Sequence, residues 1–287
     1  ERASDPTPDL IDNHFVKGPQ MIINPIDREA LKERVARSTP VPNFMIDNFL
    51  EEDFANQVLA AFPSFEDALK FGKSFSAVNE QKKVQVNDSK LFAEPVAKLN
   101  EALASPEFLD LLSYVFDIPR LLPDEQLVGG GIHQTGPRGH LDVHVDFNYI
   151  KDRQLHRRLN ILIYFNKDWH EEWGGNIELW DKDVKVCEHS YSPIFNRCVV
   201  FTTNEISYHG VSAVKCPPDR TRKSFAAYYY TKEAPGHWNG ESHSTIFKAR
   251  PTEVIKGNIL MPMEQAKRKF GDALTEIKRK LKRTIVK

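Results

Sequence analysis

The spacing of apolar residues divides the chain into helical and strand-like stretches. Residues 51–62 and 90–116 carry apolar side chains at helical spacing, for example Val96, Leu99 and Leu103. After Pro123 the pattern changes to short β-type runs that are separated by turn signals, such as GPRG at 136–139. Six or more such strands predict a sandwich or jelly roll, with the helices as support and an α+β class overall.

These patterns predict four regions along the chain. Residues 1–40 are expected to form an N-terminal arm, residues 41–123 a helical support region, and residues 124–235 a β-rich core. Residues 236–287 form a C-terminal extension that ends in an amphipathic helix. Within 41–123, the long polar stretch 71–90 is predicted to act as a lid.

Composition excludes several classes of protein. With 40% apolar residues and a net charge of −1, the chain can build a core and shows no balance typical of nucleic-acid binding. No window of about 18 apolar residues predicts a membrane span. Three cysteines without a CxxC pair argue against a cysteine zinc site and favour a reducing, cytoplasmic location.

The C-terminal stretch 264–287 departs from this balance, because it has nine basic and three acidic residues and thus a net charge of +6. Phe270, Leu274, Ile277, Leu281 and Ile285 form one apolar stripe at helical spacing. One interpretation is a helix that docks its stripe on the core. The other is peripheral contact with an anionic membrane or a lipid-linked substrate.

The candidate metal ligands are His144, Asp146 and His209. On a strand, residues two apart point to the same face, so His144 and Asp146 face one cavity. His209 directly follows the apolar strand CVVFTT, 63 positions after Asp146. Two histidines and one carboxylate leave coordination positions open on a metal, an arrangement typical of Fe(II) oxygenases.

A cationic residue on a nearby strand is the candidate for binding a cosubstrate carboxylate. Arg222 begins the strand RKSFAAYYY and shares a face with Ser224, while Arg220 has the same parity and remains an alternative. Arginine provides a bidentate donor pair for a buried carboxylate. In RLNILIYFN, the face with Asn160 and Tyr164 offers further polar groups to such a cavity.

The run from Gly129 to Thr231 resembles the catalytic core of the prolyl 4-hydroxylase type of 2-oxoglutarate oxygenases. It is similar especially to the hypoxia-factor prolyl hydroxylases and their bacterial and yeast relatives. The shared residues are HVD at 144–146, YFNKDW at 164–169, GG at 174–175, HGV at 209–211 and the strand that begins at Arg222.

The resemblance implies a double-stranded β-helix, with Fe(II), 2-oxoglutarate and O₂ as cofactor and cosubstrates. It implies that His144, Asp146 and His209 hold the iron, that Arg222 rather than Arg220 binds the 2-oxoglutarate tail, and that Tyr164 adds a hydrogen bond. His133 stands where many relatives carry a tyrosine near the cosubstrate. The implied reaction is hydroxylation of an unactivated C–H bond, with release of succinate and carbon dioxide.

The substrate is left open between a prolyl or amino-acid compound and a saccharide or lipid-linked metabolite, because one fold hosts many chemistries. Candidate substrate contacts are Asn148, Tyr149, Trp180, Asn204 and Trp238. Two alternatives remain: a cupin-type metalloenzyme of other chemistry, and a non-catalytic binding module. Formation of succinate from 2-oxoglutarate distinguishes them.

Overall fold

A computed structural model describes residues 22–262 of the chain. The α-helices of this range are α1 (Arg28–Arg37), α2 (Glu52–Ala61), α3 (Phe65–Phe71), α4 (Glu94–Leu103) and α5 (Pro106–Phe116). The helical stretch predicted at 90–116 is divided into α4 and α5. The Ser105 side chain accepts a hydrogen bond from the Phe108 amide, and Pro106 opens the new helix, which are both start signals.

The strands form one continuous, strongly curved antiparallel sheet of 13 strands. They are β1 (Asn43–Ile46), β2 (Lys73–Ser76), β3 (Glu80–Val86), β4 (Leu122–Pro123), β5 (Gly131–Val145), β6 (Tyr149–Ile150), β7 (Leu155–Tyr164), β8 (Ile177–Trp180), β9 (Cys187–Tyr191), β10 (Cys198–Thr202), β11 (His209–Val211), β12 (Arg222–Thr231) and β13 (Ile246–Lys248). The predicted jelly-roll core is thereby confirmed.

The order of the main strands is β1-β10-β7-β12-β5-β11-β8-β9. The long strand β5 belongs to both halves of the barrel. Its first part pairs with β12, its last part pairs with β11 and β13, and β3 pairs along it from Ile132 to Leu141. GPRG at 136–139, which the sequence suggests as a turn between strands, is instead a stretch within β5.

The two faces of β7 divide the molecule into a packing side and an interior side. Leu159, Ile161 and Ile163 pack with helical residues such as Leu99 and Leu112 in the main hydrophobic cluster. Asn160 and Leu162 line the barrel interior. Burial of the apolar face fixes the register of the strand, because a shift of one residue would exchange the two faces.

Several regions outside the core differ from the expectations. Residues 71–90, predicted as a lid, mostly form the β2–β3 hairpin, whose second strand pairs with β5. Within the predicted arm, α1 begins after its Asp27 cap and packs on α5, where Glu29 accepts a hydrogen bond from Tyr114 at 2.6 Å. The C-terminal basic stretch 264–287 lies outside the described residues.

None of the helices in residues 22–262 has both the length and the apolar character needed to cross a bilayer.

Candidate active site

His144, Asp146 and His209 come together inside the barrel. His144 and His209 are paired residues across β5 and β11, and Asp146 directly follows β5. One potential ligand atom from each of the three lies within 4.8 Å of those of the other two. Asp146 lies 3.5 Å from His144 Nε2 through Oδ1 and 3.4 Å from His209 Nε2 through Oδ2. The donor set can therefore converge on a single ion.

The hydrogen bonds of both imidazoles leave the Nε2 atoms available for a metal. His144 Nδ1 lies 2.8 Å from the Asp142 carbonyl, and His209 Nδ1 lies 2.9 Å from the Ser207 carbonyl. Since a carbonyl only accepts, each Nδ1 carries the proton and each Nε2 keeps its lone pair. This tautomer, together with the Asp146 carboxylate, fits a mononuclear Fe(II) site.

Arg157 is a second buried charge at this end of the cavity, and the sequence reading missed it. Its Nη2 lies 3.0 Å from Asp146 Oδ2, and Asn160 donates to the same oxygen at 2.8 Å. Burial opposes the charged form of Asp146, but the Arg157 guanidinium beside it holds the pKa of its carboxyl well below its usual range. The carboxylate is thus kept ionised for a cation.

Arg157 escaped detection because strand parity places it on the packing face with Leu159. A β-bulge changes that parity: Tyr229 pairs with Leu159 and Tyr230 with Arg157, so Arg158 is an extra residue in β7. The bulge brings Arg157 to the side of Asn160, whose side-chain oxygen accepts two of its hydrogen bonds. An arginine near the strand start was the only available signal.

Arg222 lies at the other end of the same cavity, which His144, Asp146 and His209 also line. Its side chain is buried, and its donors meet Gly175 O at 2.6 Å, the Tyr164 hydroxyl at 3.3 Å and Ser224 Oγ at 3.5 Å. No carboxylate of residues 22–262 is within 4.0 Å of this guanidinium. A buried cation without an acid partner is a ready site for the carboxylate of a ligand.

The glycine pair at 174–175 shapes this end of the cavity. Gly175 has φ of +74°, and a Cβ there would come within 3.0 Å of Arg222 Cδ. Glycine therefore allows the backbone to approach the arginine side chain closely. Arg220, the alternative from strand parity, is exposed and donates to the Lys167 carbonyl at 3.2 Å.

Three of the remaining polar candidates for cosubstrate binding line this cavity, and Tyr164 lies behind it in contact with Arg222. Asn160, Ser224 and His133 line the cavity, and burial raises the pKa of Tyr164 to about 12, so its phenol stays neutral. Burial, followed by the charges of Lys83 and Arg222, lowers the pKa of His133 well below its usual value. Lys83, from β3, is a second cation on the cavity wall that sequence reasoning did not identify.

A solvent-open cleft leads from the surface to His144 and Asp146; we call it the entrance cleft. Its walls come from the β2–β3 hairpin, from the start of the loop after β5, and from the segment that includes β13. Residues of these walls include Lys73, Phe75, Glu80, Phe147, Thr245 and Phe247. A substrate can thus reach the candidate metal site from the side opposite Arg222.

The candidate substrate contacts separate into two groups. Asn148, Tyr149 and Trp238 form a cluster that begins directly after Phe147 of the cleft wall; the Tyr149 and Trp238 rings are 5.7 Å apart, and Asn148 donates to Glu241 O at 3.1 Å. Trp180 packs in an apolar cluster with Val143, Val145, Val184 and Tyr208. The Asn204 side chain accepts from the Ile206 amide within its own turn, at 2.9 Å. None of the five candidates lines the cavity or the entrance cleft.

Comparison with known families agrees with this geometry. Residues 130–230 match the family model of the 2OG-Fe(II) oxygenase superfamily, which uses Fe(II), 2-oxoglutarate and O₂. No curated protein is similar enough in sequence to match the chain.

Solved structures share the fold at low sequence identity. The epimerase SnoN of nogalamycin biosynthesis, a non-haem α-ketoglutarate-dependent enzyme, aligns with a TM-score of 0.50 and 14% identity over 78% of this chain and 98% of its own. A Trichoplax adhaerens prolyl hydroxylase gives 0.49 and 17% over 71% and 90% of the two chains. A Pseudomonas putida prolyl-4-hydroxylase gives 0.48 and 18% over 70% and 98%.

Proposed function

We propose that this chain, a 2-oxoglutarate-dependent dioxygenase whose residues 130–230 match the 2OG-Fe(II) oxygenase superfamily, hydroxylates an unactivated C–H bond and releases succinate and carbon dioxide. The substrate class is a prolyl or amino-acid compound, or a saccharide or lipid-linked metabolite. Fe(II) supplies the redox chemistry with O₂ and 2-oxoglutarate when bound. The protein supplies orientation and a shielded cavity.

One observation carries the proposal: a buried arginine, without an acid partner among residues 22–262, shares a cavity with a His-Asp-His cluster. In the proposed assignment, His144, Asp146 and His209 hold Fe(II) and Arg222 binds the distal carboxylate of 2-oxoglutarate. The Tyr164 hydroxyl donates a hydrogen bond to that carboxylate. Ser224, Asn160 and His133 complete the polar wall. A cupin of other chemistry or a binding module would leave Arg222 without a role.

Substrate enters through the entrance cleft, which brings it to the metal without passing Arg222. Asn148, Tyr149 and Trp238 cluster directly after Phe147 of the cleft wall, where an aromatic pair and an amide suit a substrate with both apolar and polar faces. This position supports them as outer substrate contacts.

The test is substrate-stimulated succinate formation. The purified chain is incubated with Fe(II), ascorbate, 2-oxoglutarate and a panel of free amino acids, prolyl peptides and sugars, and succinate and product are measured by mass spectrometry. We expect one class to raise succinate formation at least about tenfold and to gain one oxygen atom, with His209→Ala as the inactive control. Consumption of a substrate without 2-oxoglutarate would contradict the proposal.

The stretch 264–287, outside the described residues, is also proposed to contact an anionic membrane. Immediately before it, Val254, Ile255, Ile259 and Leu260 are exposed apolar residues, which supports this placement. Each basic residue near an anionic surface contributes about 1 kcal/mol. Salt-sensitive co-sedimentation with anionic vesicles, lost on truncation after Met263, is the expected result; no binding at low salt would contradict it.

A further inference from the structure

We propose that residues 246–256, which follow the oxygenase domain in sequence, form a clasp that positions the metal ligands, with Arg250 and Lys256 as its positioning residues. The proposal rests on the metal site proposed above. It assigns a role in that site to a segment that lies beyond the residues matched by the family model.

The clasp first contacts the strand that carries His144. Its strand β13 pairs with β5, with Phe247 opposite His144 and Lys248 opposite Val143. The Phe247 and His144 rings have centroids 5.3 Å apart. Phe247 also lines the entrance cleft, so the same residue packs on a candidate ligand and faces the path of the substrate.

Arg250 connects the strands on either side of His209. β11, which carries His209, lies between β5 and β8. The Arg250 guanidinium bonds to Glu178 of β8 through Nε at 2.9 Å and Nη2 at 2.8 Å, and Nη2 also reaches the Leu141 carbonyl of β5 at 3.3 Å. The arginine therefore ties the two neighbours of β11 together.

Gly210, the residue after His209, shows how closely this arginine approaches. A Cβ at Gly210 would lie 3.1 Å from Arg250 Nη2 and 3.0 Å from the Leu141 carbonyl. The guanidinium thus packs directly over the backbone of β11. A shift of Arg250 would change the support beneath His209.

Lys256 reaches His144 through one intermediate residue. Its Nζ lies 2.5 Å from Asp142 Oδ1 and 3.1 Å from His140 Nε2. The Asp142 side chain is completely buried, and the Asp142 carbonyl accepts the hydrogen bond of His144 Nδ1 at 2.8 Å. Lys256 consequently fixes the residue that orients the imidazole.

All lysine or arginine nitrogens within 4.0 Å of the Asp142 carboxylate, among residues 22–262, belong to the clasp. A buried carboxylate that loses its cations is strongly destabilised and must move, and its movement disturbs the backbone that holds His144. Outer residues that orient metal ligands typically affect metal affinity by about 10–100-fold.

The test measures Co(II) binding by the full chain, with calorimetry for affinity and visible absorption for coordination geometry. The variants are Lys256→Met and Arg250→Met. Lys248→Met is the matched control, because Lys248 lies on the same segment but bonds to the Lys182 carbonyl, away from Asp142. We expect Lys256→Met and Arg250→Met each to lose about tenfold or more in Co(II) affinity and to alter the absorption spectrum. The Co(II) affinity of Lys248→Met should stay within about twofold of that of the unmodified chain.

Unchanged affinity and spectrum in folded Lys256→Met and Arg250→Met would overturn the clasp. If Lys256→Met does not fold, the double variant Asp142→Asn/Lys256→Met leaves no unpaired buried charge, and we expect weaker Co(II) binding there too. A Co(II) affinity of that double variant equal to that of the unmodified chain would also overturn the proposal. A chain that does not bind Co(II) at all, or a His209→Ala variant that binds it normally, would instead contradict the metal site itself.

Discussion

Two buried arginines flank the candidate metal site, and their surroundings differ in one respect: Arg222 lines the barrel cavity, and Arg157 lines the entrance cleft that leads to it. Arg157 contacts the Asp146 carboxylate at 3.0 Å and stacks on Tyr228, with its guanidinium carbon 3.7 Å from the ring centre. Arg222 contacts a carbonyl and two hydroxyls, and no carboxylate of residues 22–262 within 4.0 Å. One charge is compensated by the protein and the other is not.

The difference indicates which end awaits a ligand anion. Burying a cation is costly unless an anion accompanies it, and breaking a buried pair costs about 3–5 kcal/mol. Asp146 raises the pKa of Arg157, against the effect of burial, whereas burial lowers the pKa of Arg222. The Arg222 end therefore gains most from an incoming carboxylate, while the Arg157 end is balanced before a metal binds.

The largest expected effect comes from Asp146→Ala, which removes a proposed ligand and the partner of Arg157. Turnover should fall below detection in Asp146→Ala and in His209→Ala alike. The sequence alone suggests that both variants keep the fold intact. The Arg157 contact changes that expectation, because Asp146→Ala leaves this arginine buried without its anion. Without metal, the variant should therefore lose about 3–5 kcal/mol of unfolding free energy and unfold at a lower temperature.

His209→Ala leaves the Arg157–Asp146 pair in place and serves as the matched variant. Succinate formation and calorimetric unfolding of both proteins make the comparison. Full activity in either variant would overturn the ligand assignment, and equal stability of the two would show that the Arg157 contact has no energetic weight.

Arg222→Ala should raise the apparent KM for 2-oxoglutarate by about two orders of magnitude, since an unpaired buried carboxylate costs a few kcal/mol. The KM for the substrate that is hydroxylated should change far less. Initial rates at varied 2-oxoglutarate provide the measurement, and Arg220→Ala is the control on the exposed side of the same segment. If Arg220→Ala shows the higher KM instead, the assignment of the cosubstrate arginine is wrong.

The motif residues were predictable because they lie on strands whose faces are set by burial. HVD at 144–146 and the Arg222 strand follow a period of two, and the apolar faces beside them specify the register. The resemblance to prolyl hydroxylases then selected Arg222, which is buried, over Arg220, which is exposed.

The parts that sequence reasoning missed depend on bulges and on distant pairing. Arg157 reaches Asp146 only because Arg158 is an extra residue in β7. Lys256 meets Asp142 across 114 positions, and no local pattern encodes that pair. The stretch 71–90 looked like a lid because it is polar, yet its backbone pairs along β5, where alternation is weak and hydrogen bonding decides the structure.

A smaller effect tests the two arginines directly, in the chain without metal or 2-oxoglutarate. Arg157→Met should lower the unfolding free energy by about 3–5 kcal/mol, because Asp146 is then buried without its cation. Arg222→Met should change it by less, or raise it, because no carboxylate loses a partner. Urea unfolding followed by circular dichroism measures both, and equal losses would remove the distinction between the two ends.

The smallest expected effect concerns His133, which shares the Arg222 end of the cavity. Its Nε2 lies 3.0 Å from the Gly129 carbonyl, and burial together with Lys83 and Arg222 lowers its pKa well below the usual value. The folded chain therefore keeps His133 neutral where the unfolded chain, with a pKa of about 6.5, takes up a proton. The stability due to His133 is present above this pH and is lost as the pH falls through it, by up to about 1.4 kcal/mol per pH unit.

His133→Gln keeps a donor for Gly129 and does not titrate. Between pH 7.5 and 5.5, its unfolding free energy should therefore fall by about 1 kcal/mol less than that of the unmodified chain. Urea unfolding at both pH values gives the difference, with exposed His170→Gln as the control. His156 and His209 have lowered pKa values in both proteins, so their contributions cancel in the comparison. An identical pH dependence in His133→Gln and the unmodified chain would mean that His133 is not held neutral beside Arg222.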